Sequence, residues 1–249
     1  MVRGLYTAAT GMIHQRNRLD TVASNIANVN TRGFKRDMVV ERAFEDELLL
    51  RMDKDGIPNS RIIGTITHGV YADKVMTEFK QGNIQETGKS TDIALLGGGF
   101  FTVMTDQGEL YTRDGSFTID SYGRLVTAEG WQVLGQNGPV YVYNDQFTVD
   151  PYGNIMLGGN YIDTLRLVNF EDPEVLQKAG DNYFINTDQA GMIPFAGEVR
   201  QGFAEGSNVD VIREMVDMMT ATRAYESNQK ILKMIDGTLN KTVNEVGRV

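Results

Sequence analysis

A heptad repeat near the C-terminus constrains the fold more than any other feature of this sequence. Six apolar or aromatic side chains recur every seven residues within 207–246: Val211, Met218, Tyr225, Leu232, Leu239 and Val246. A heptad sustained over this length predicts a helix with a packing seam, on the order of 55 Å long at about 1.5 Å per residue. Such a helix requires partner helices, because a small domain cannot cover the whole seam.

The first thirty residues contain a second repeat of the same period. Two rows of side chains, three positions apart, predict another seam: Leu5, Met12, Leu19 and Ile26, with Ala8, Gln15, Val22 and Val29. Gly4 and Gly11 weaken this helix, since a glycine in a helix interior costs up to about 1 kcal/mol. The Asn- and Gly-containing stretch 28–33 predicts the end of the helix and a turn. Seamed helices at both ends of the chain predict that the termini come together.

The C-terminal helix is predicted to begin after residues 205–208, with Ser207 or Asn208 as its cap. Its first half is apolar on more than one side: Val209, Val211, Ile212, Met215, Val216, Met218 and Met219. Its second half carries polar residues near the seam. Both facts favour several neighbouring chains over a two-stranded coiled coil. The alternative is one amphipathic helix packed on the core of its own domain.

The sequence predicts a mixed α and β fold. Residues 1–33 and 207–249 are predicted to pair as a coiled-coil-like terminal helical assembly domain. Residues 34–70 are predicted to be an extended connector that includes a turn or loop over 53–59. Residues 71–206 contain short strand-like runs separated by Gly-containing turns. They predict a β-rich outer domain, which is an antiparallel sandwich or an irregular barrel.

One internal repeat supports the β assignment. Residues 117–125 match residues 147–155, and in each copy Asp opens a turn, Gly supplies positive φ, and apolar residues resume the strand. Residues 105–110 predict a third hairpin. The large aromatic side chains of this region are predicted to lie in the core: Trp131, Phe100, Phe101 and Phe184.

Charge and composition exclude several classes of protein. The net charge is −9, but the first forty residues carry six basic and two acidic side chains, a net +4, so the rest carries −13. An acidic body argues against nucleic-acid binding, whereas the basic first segment could meet acidic surface on neighbouring copies. The absence of cysteine excludes disulfides and thiolate metal sites. We expect neither membrane insertion nor a cleaved signal peptide, because the chain has no apolar run of suitable length or position.

No motif predicts catalysis. Residues 87–90 are similar to the end of a phosphate-binding loop, but Asn83 stands where that motif needs glycine, and a strand is predicted to follow. A calcium loop around 51–62 would lack carboxylates at both ends. His14 and His68 accompany no nucleophile elbow and no zinc-ligand spacing. We therefore predict a protein that is not an enzyme, without catalytic residues, cofactor, metal or small-molecule substrate.

Several stretches closely resemble the bacterial flagellar basal-body rod and hook proteins. At the N-terminus the resemblance lies in 24–35, which reads SNIANVNTRGFK. The other matching stretches are GFF (99–101), YTRDGSF (111–117), EGSNVD (205–210), EMV (214–216) and RAYE (223–226). The resemblance covers nearly the whole chain, and its terminal motifs are highly specific.

The resemblance implies a structural subunit of the rod. Such subunits stack helically into the hollow axle that carries torque from the motor to the hook, with terminal helices inside and β domains outside. The partners implied are copies of this chain and other rod and hook-family subunits, in a basal body that spans the periplasm. Export would use the flagellar type III apparatus. The short connector is closer to the proximal-rod member, with a distal-rod member as the alternative. A secreted β domain that binds a partner and a hydrolase with scattered carboxylates are the competing hypotheses.

The seams and the resemblance together define the predicted assembly interface. In the N-terminal segment it comprises Leu5, Met12, Leu19, Val22, Ile26, Asn28, Asn30, Thr31, Gly33 and Phe34. In the C-terminal helix it comprises Val211, Met215, Met218, Tyr225, Leu232 and Leu239. The family's Asn-rich turn, which here also includes Asn25, implies side-chain amides that satisfy backbone groups, a bend at Gly33 and an anchor at Phe34. An ordinary helix end, which needs a single Asn or Gly, is the alternative.

Overall fold

The chain folds into two compact units. The computed structural model describes residues 2–52, 58–106, 108–180, 182–187 and 190–246. The first unit comprises Met1–Ile26, Asp37–Met76 and Val211–Val249, and the second comprises Ala27–Arg36 and Thr77–Asp210. Residues 53–57, for which the sequence predicted a turn or loop, lie outside the described residues.

The first unit contains the two terminal helices. Helix α1 spans Val2–Ala27, and helix α2 spans Val211–Lys241 and continues as a π-helical turn over Thr242–Val246. The end of α1 at Ala27 confirms the predicted stop before the Asn-rich stretch. The prediction that Ser207 or Asn208 caps α2 is wrong, because the helix begins at Val211. Asn208 is hydrogen-bonded to other parts of the second unit. Its Oδ1 accepts a hydrogen bond from Arg36 N (2.7 Å), and its Nδ2 donates one to Glu78 O (2.7 Å).

Three strands of the first unit occupy the segment predicted to be an extended connector, and a fourth begins at its last residue and continues into the predicted β domain. They are β1 (Asp37–Ala43), β2 (Glu47–Met52), β3 (Pro58–Ile66) and β4 (Val70–Thr77). Strand β1 pairs with β4, and β2 pairs antiparallel with β3. This pairing gives backbone N–H and C=O groups partners that an extended connector would leave to water. The segment therefore groups with the helices, and the division of the chain differs from the predicted boundaries.

The second unit is built from short strands. In chain order they are β5 (Ile84–Glu86), β6 (Ile93–Leu96), β7 (Phe100–Thr105), β8 (Gly108–Thr112), β9 (Thr118–Ile119), β10 (Leu125–Val126), β11 (Gln132–Gly135), β12 (Gly138–Pro139), β13 (Phe147–Val149), β14 (Asn154–Leu157), β15 (Asn160–Thr164), β16 (Leu167–Phe170), β17 (Gln177–Lys178), β18 (Tyr183–Ile185), β19 (Met192–Pro194), β20 (Glu198–Gln201) and β21 (Phe203–Glu205). A 3₁₀ turn over Pro173–Val175 precedes β17.

The strand pairs of the second unit are antiparallel, as predicted. One sheet has the order β17-β18-β8-β7-β11-β10-β9, with β12 beside β11 and β16 between β7 and β19. Strands β13, β14 and β15 form a meander, while β20 pairs with β6 and β21 pairs with β5. Closure of these sheets as a sandwich or barrel stays a prediction.

The core of the second unit is apolar and fully buried. Its main cluster contains these buried side chains: Ile93, Leu95, Phe101, Val103, Phe117, Leu125, Val133, Val140, Val142, Phe147, Ile155, Leu165 and Val199. Phe100 and Phe184 lie in a second cluster with Phe170. The core prediction is therefore confirmed for three of the four aromatics. Trp131 is partly buried and packs against the main cluster. A side chain as large as tryptophan is seldom fully buried.

The internal repeat forms two equivalent turns. In the first, Asp120 Oδ1 accepts hydrogen bonds from Tyr122 N (2.9 Å) and Arg124 N (2.8 Å). In the second, Asp150 Oδ1 accepts from the two corresponding amides at the same distances. The glycine of each turn has positive φ, 79° and 85°. The predicted turn chemistry is thus confirmed in both copies.

No helix of the described part of the chain combines the length and the hydrophobicity that crossing a membrane requires.

Candidate assembly interface

Helices α1 and α2 contact each other at positions spaced by seven residues on α1. Going along α1, Gly4, Gly11, Arg18 and Asn25 lie against Ile235, Asn228, Asp217 and Glu214. The partner numbers fall as the α1 numbers rise, so the two helices run antiparallel. The heptad spacing predicted from the sequence therefore coincides with the spacing of the contacts.

The two glycines of α1 are places of close approach. A Cβ added to Gly4 would lie 3.4 Å from Ile235 Cδ1, and one added to Gly11 would lie 2.9 Å from Asn228 Nδ2. Glycine costs helix propensity, but it leaves room for a side chain of the opposing helix. Sequence reasoning identified these residues only as weak points, because propensity says nothing about what a neighbouring helix places there.

The far end of the helix pair is joined by buried polar groups. Asn25 is 1% exposed and Glu214 is fully buried. Asn25 Nδ2 donates to Glu214 Oε2 (3.1 Å) and to Asp37 O (2.9 Å), while Asp37 N donates to Asn25 Oδ1 (2.9 Å). One amide thus ties α1 to α2 and to the start of β1. Hydrogen bonds of this kind fix the axial alignment of two helices, because a shift would leave buried polar groups unpaired.

The predicted seam residues are only partly covered. The half-buried ones are Leu5, Met12, Leu19 and Ile26 in α1 and Val211, Met218, Tyr225, Leu232 and Leu239 in α2. Val22 is buried, and Met215 is 50% exposed. The α2 row thus flanks the contacts with α1. The row that lies against α2 in α1 is Gly4, Gly11, Arg18 and Asn25, one residue before each member of the Leu5 row, and the apolar pattern gave no signal for it.

The side of α2 that points away from α1 is exposed along its whole length. We call the following positions the outer face of α2: Ile212, Val216, Met219, Arg223, Ser227, Lys230, Met234, Thr238 and Lys241. They follow one another at intervals of three or four residues, so they share one side of the helix. All nine are exposed. The outer face carries apolar and cationic side chains and no carboxylate.

The Asn-rich turn after α1 is held within the second unit. Gly33 has φ 68°, and a Cβ there would lie 2.4 Å from Asp114 N, so only glycine fits this bend. Thr31 N donates to Asn28 O (3.1 Å), and Thr31 Oγ1 donates to Asn28 Oδ1 (3.1 Å). Phe34 is fully buried, with Lys178 Nζ 4.1 Å from its ring centroid. Asn30 is exposed.

A buried ion cluster joins the first and last segments of the second unit. Glu205 Oε1 accepts from Lys35 Nζ (2.6 Å) and Gly82 N (2.8 Å), and Glu205 Oε2 accepts from Arg113 Nη1 (3.4 Å). All three charged side chains are at most 3% exposed. Burial lowers the pKa of the Lys35 ammonium from its ordinary value, while the Glu205 carboxylate opposes that shift. Burial likewise lowers the pKa of Arg113.

This cluster brings together three of the stretches that carry the sequence resemblance. Lys35 belongs to the N-terminal motif, Arg113 to the central motif and Glu205 to the C-terminal one. Lys35 and Glu205 are 170 residues apart in the chain. Their motif positions singled them out, but no local pattern could have predicted that they form an ion pair.

The two histidines of the first unit each lie beside a different carboxylate. His14 Nε2 is 2.9 Å from Glu41 Oε2, and His68 Nε2 is 2.9 Å from Glu47 Oε2. The hydrogen bond from His68 lowers the pKa of the Glu47 carboxyl.

Among the residues described, no three or more His, Cys, Asp or Glu side chains are grouped so that they could hold a metal ion.

Three family models match separate parts of the chain. Residues 5–35 match "Flagella basal body rod protein", residues 94–161 match "Flagellar hook protein FlgE/F/G D1 domain", and residues 200–245 match "Flagellar basal body rod FlgEFG protein C-terminal". The three regions include both terminal helices and much of the second unit.

Curated relatives are similar to the chain over nearly its whole length. The flagellar basal-body rod protein FlgG of Borreliella burgdorferi is 36% identical, covering 96% of this chain and 97% of the relative. FlgG of Agrobacterium fabrum is also 36% identical, covering 94% and 96%. The flagellar hook-basal body complex protein FlhO of Bacillus subtilis is 32% identical over the full length of both. None of these names denotes an enzyme, and they favour neither a secreted binding domain nor a hydrolase.

Proposed function

The chain belongs to the family of flagellar basal-body rod proteins, and from this premise we infer that it is a structural subunit of the rod. We propose that its copies join one another, and other rod and hook subunits, through the two terminal helices. A helical array of such subunits would transmit torque from the motor to the hook.

The observation that carries this proposal is the exposed outer face of α2. Ile212 is 76% exposed, and Val216 and Met219 are about half exposed. Fully burying an apolar side chain of this size contributes about 1.5–3 kcal/mol, so these three exposed side chains together are a strong driving force for association. The half-buried seam rows beside the helix contacts add to the apolar surface that neighbouring subunits could cover.

The contacts between α1 and α2 support a coiled-coil-like pairing of the terminal helices. Antiparallel contacts at heptad spacing are what such pairing requires, and the polar Asn25–Glu214 pair would set its register. We propose that the helix pairs form the inner part of the rod and that the second unit, as a sandwich or barrel, forms an outer layer. The apolar core of the second unit supports a separately folded layer.

Location and export follow from family membership as proposals. We propose that the protein lies in the periplasm-spanning part of the basal body and passes through the flagellar type III apparatus without a cleaved leader. We also retain the proximal part of the rod as its proposed position. Labelling of this chain in isolated basal bodies would test that position.

Replacing apolar side chains of the outer face of α2 by charged ones tests whether the protein assembles through its helices. We expect Ile212→Asp combined with Met219→Asp to abolish rod assembly and swimming in a host that lacks its own copy. Both positions are exposed, so the purified variant should keep the circular dichroism spectrum and melting temperature of the wild type. Electron microscopy of isolated basal bodies would show whether rods form.

The matched control is Tyr152→Asp, which changes an 81% exposed apolar position of the second unit. We expect this variant to assemble and swim. Normal rods from the double aspartate variant would contradict assembly through the outer face of α2.

A further inference from the structure

A groove in the first unit has an aromatic floor that lacks a covering element among the described residues. Its volume is about 650 Å3, and its lining includes Tyr6 and Phe44. The ring centroids of these two residues are 6.2 Å apart, and Phe44 is 5.2 Å from Tyr71. Tyr6 is about half exposed. This size and lining suit a small number of inserted side chains.

The rim of the groove is acidic. Three consecutive exposed carboxylates, Glu45, Asp46 and Glu47, line it. Arg3 and His68 line it as well, and His68 is hydrogen-bonded to Glu47. Glu45 and Asp46 therefore present the carboxylates most available to a cationic partner. The groove is suited to an apolar side chain flanked by positive charges.

The outer face of α2 has the complementary chemistry. Met234 is 63% exposed. Lys230 lies one helical turn before it on the same face, and Lys241 lies two turns after it. Methionine is flexible and makes favourable sulfur–aromatic contacts, so it fits an irregular aromatic floor. The two lysines would then lie near the carboxylates of the rim, with no carboxylate on their own face to oppose them.

We propose that this groove binds the outer face of α2 from a second copy of the chain, with Met234 on the aromatic floor and Lys230 and Lys241 at the acidic rim. The proposal rests on the proposed function, because it specifies one contact of the assembled rod. It makes the β1–β2 and β3–β4 connections, together with the start of α1, a receptor for the helix of a neighbouring subunit.

The absence of cysteine from the sequence allows a direct test of this contact. In rods isolated from cells that express Asp46→Cys with Lys230→Cys, mild oxidation should produce disulfide-linked dimers and higher multimers on a non-reducing gel. Each single cysteine variant is a control, and so is Lys230→Cys with Tyr152→Cys, which places the second thiol on the other unit. Assembled rods in which the test pair gives no more cross-link than these controls would overturn the proposal.

Charge reversal provides a second test that does not depend on cross-linking. We expect Glu45→Lys with Asp46→Lys to weaken subunit association about tenfold, as two ion pairs of a partly exposed rim can. Lys230→Glu with Lys241→Glu should have a similar effect. Combining all four changes in one chain should restore association and swimming, because the complementary charges are then exchanged. If the variant with all four substitutions associates no more strongly than either double variant, the proposed contact is contradicted.

The two proposals fail in different ways. If Ile212→Asp with Met219→Asp stops assembly while the charge-reversed variants assemble like the wild type, the rod function stands and the groove contact is wrong. If the double aspartate variant assembles normally, assembly through the outer face of α2 is wrong, and the groove contact that depends on the same face fails with it.

Discussion

The two units differ in how completely each covers its own apolar surface. In the second unit the main core cluster is at most 2% exposed, and the strands around it pair in antiparallel sheets. In the first unit the helices contact each other along one side, and the outer face of α2 stays exposed. Both units come from one chain of ordinary composition. They differ in how far their own elements cover the apolar residues that each contains.

The comparison indicates that the two units have different roles, one folding as a self-contained body and the other associating with further chains. A unit whose own strands cover its apolar core needs no other chain to bury that core. A unit that exposes several apolar side chains on one helix face gains stability when other chains cover that face. Polar groups are buried in both units, but they have different effects. The Asn25–Glu214 pair aligns two helices, whereas the Glu205 cluster ties together distant parts of one compact body.

The largest expected effect is in the core of the second unit. Phe101 is fully buried, so Phe101→Ala should lower the free energy of unfolding by about 3–5 kcal/mol, the usual cost of such a cavity. Urea denaturation followed through the single tryptophan, which packs on that core, would measure it. Met219→Ala, at a half-exposed position of the first unit, should change the free energy of unfolding of the helices, followed by circular dichroism at 222 nm, by no more than about 0.5 kcal/mol in the dilute protein. Equal losses from the two variants would break the comparison.

A somewhat smaller loss should follow from neutralising the buried carboxylate. Glu205→Gln keeps the shape of the side chain but leaves Lys35 and Arg113 buried without their counter-charge. We expect a loss of about 3 kcal/mol, at the lower end for a broken buried ion pair, in the same urea experiment. Asp145→Asn, at an exposed carboxylate of the same unit, is the control and should leave the free energy of unfolding nearly unchanged. An unchanged midpoint for Glu205→Gln would show that the cluster does not stabilise the fold.

The smallest effect should come from the ion pair between the helices. Arg18 Nη2 is 3.2 Å from Asp217 Oδ1, but both side chains remain partly exposed, at 41% and 28%. Arg18→Ala should therefore lower helix stability by at most about 1 kcal/mol, and 1 M salt should remove most of the difference. Thermal melting followed by circular dichroism at 222 nm would measure both values. A loss of several kcal/mol would mean that this pair, rather than apolar contact, holds the helices together.

Interactions between residues close in sequence were sufficient to predict several structural elements. The Asp and Gly of each repeat predicted the turns at 120–123 and 150–153, because side-chain capping and positive φ act over a few residues. The heptads predicted both helices, and the stop of α1 followed from the Asn-rich stretch. The resemblance carried by the terminal motifs led to the rod family, which the full-length relatives then showed.

Longer-range features were not predictable in the same way. The heptads gave a period for the helix contacts, but the row that lies against α2 proved to be Gly4, Gly11, Arg18 and Asn25. A search for periodic apolar residues cannot identify a contact row made of glycine and polar residues. Strands β1, β2 and β3 lie in the segment 34–70 that was predicted to be a connector, because a strand is recognised by its partner as much as by its own residues.

The sequence alone determined the periodicity of the two helices, the chemistry of the turns and the family of the protein, since each depends on residues that are near neighbours or form a contiguous motif. Only the tertiary structure decided which side of α2 stays exposed and which charges are buried together. Lys35 and Glu205 meet across 170 residues, and such a meeting depends on the path of the whole chain between them.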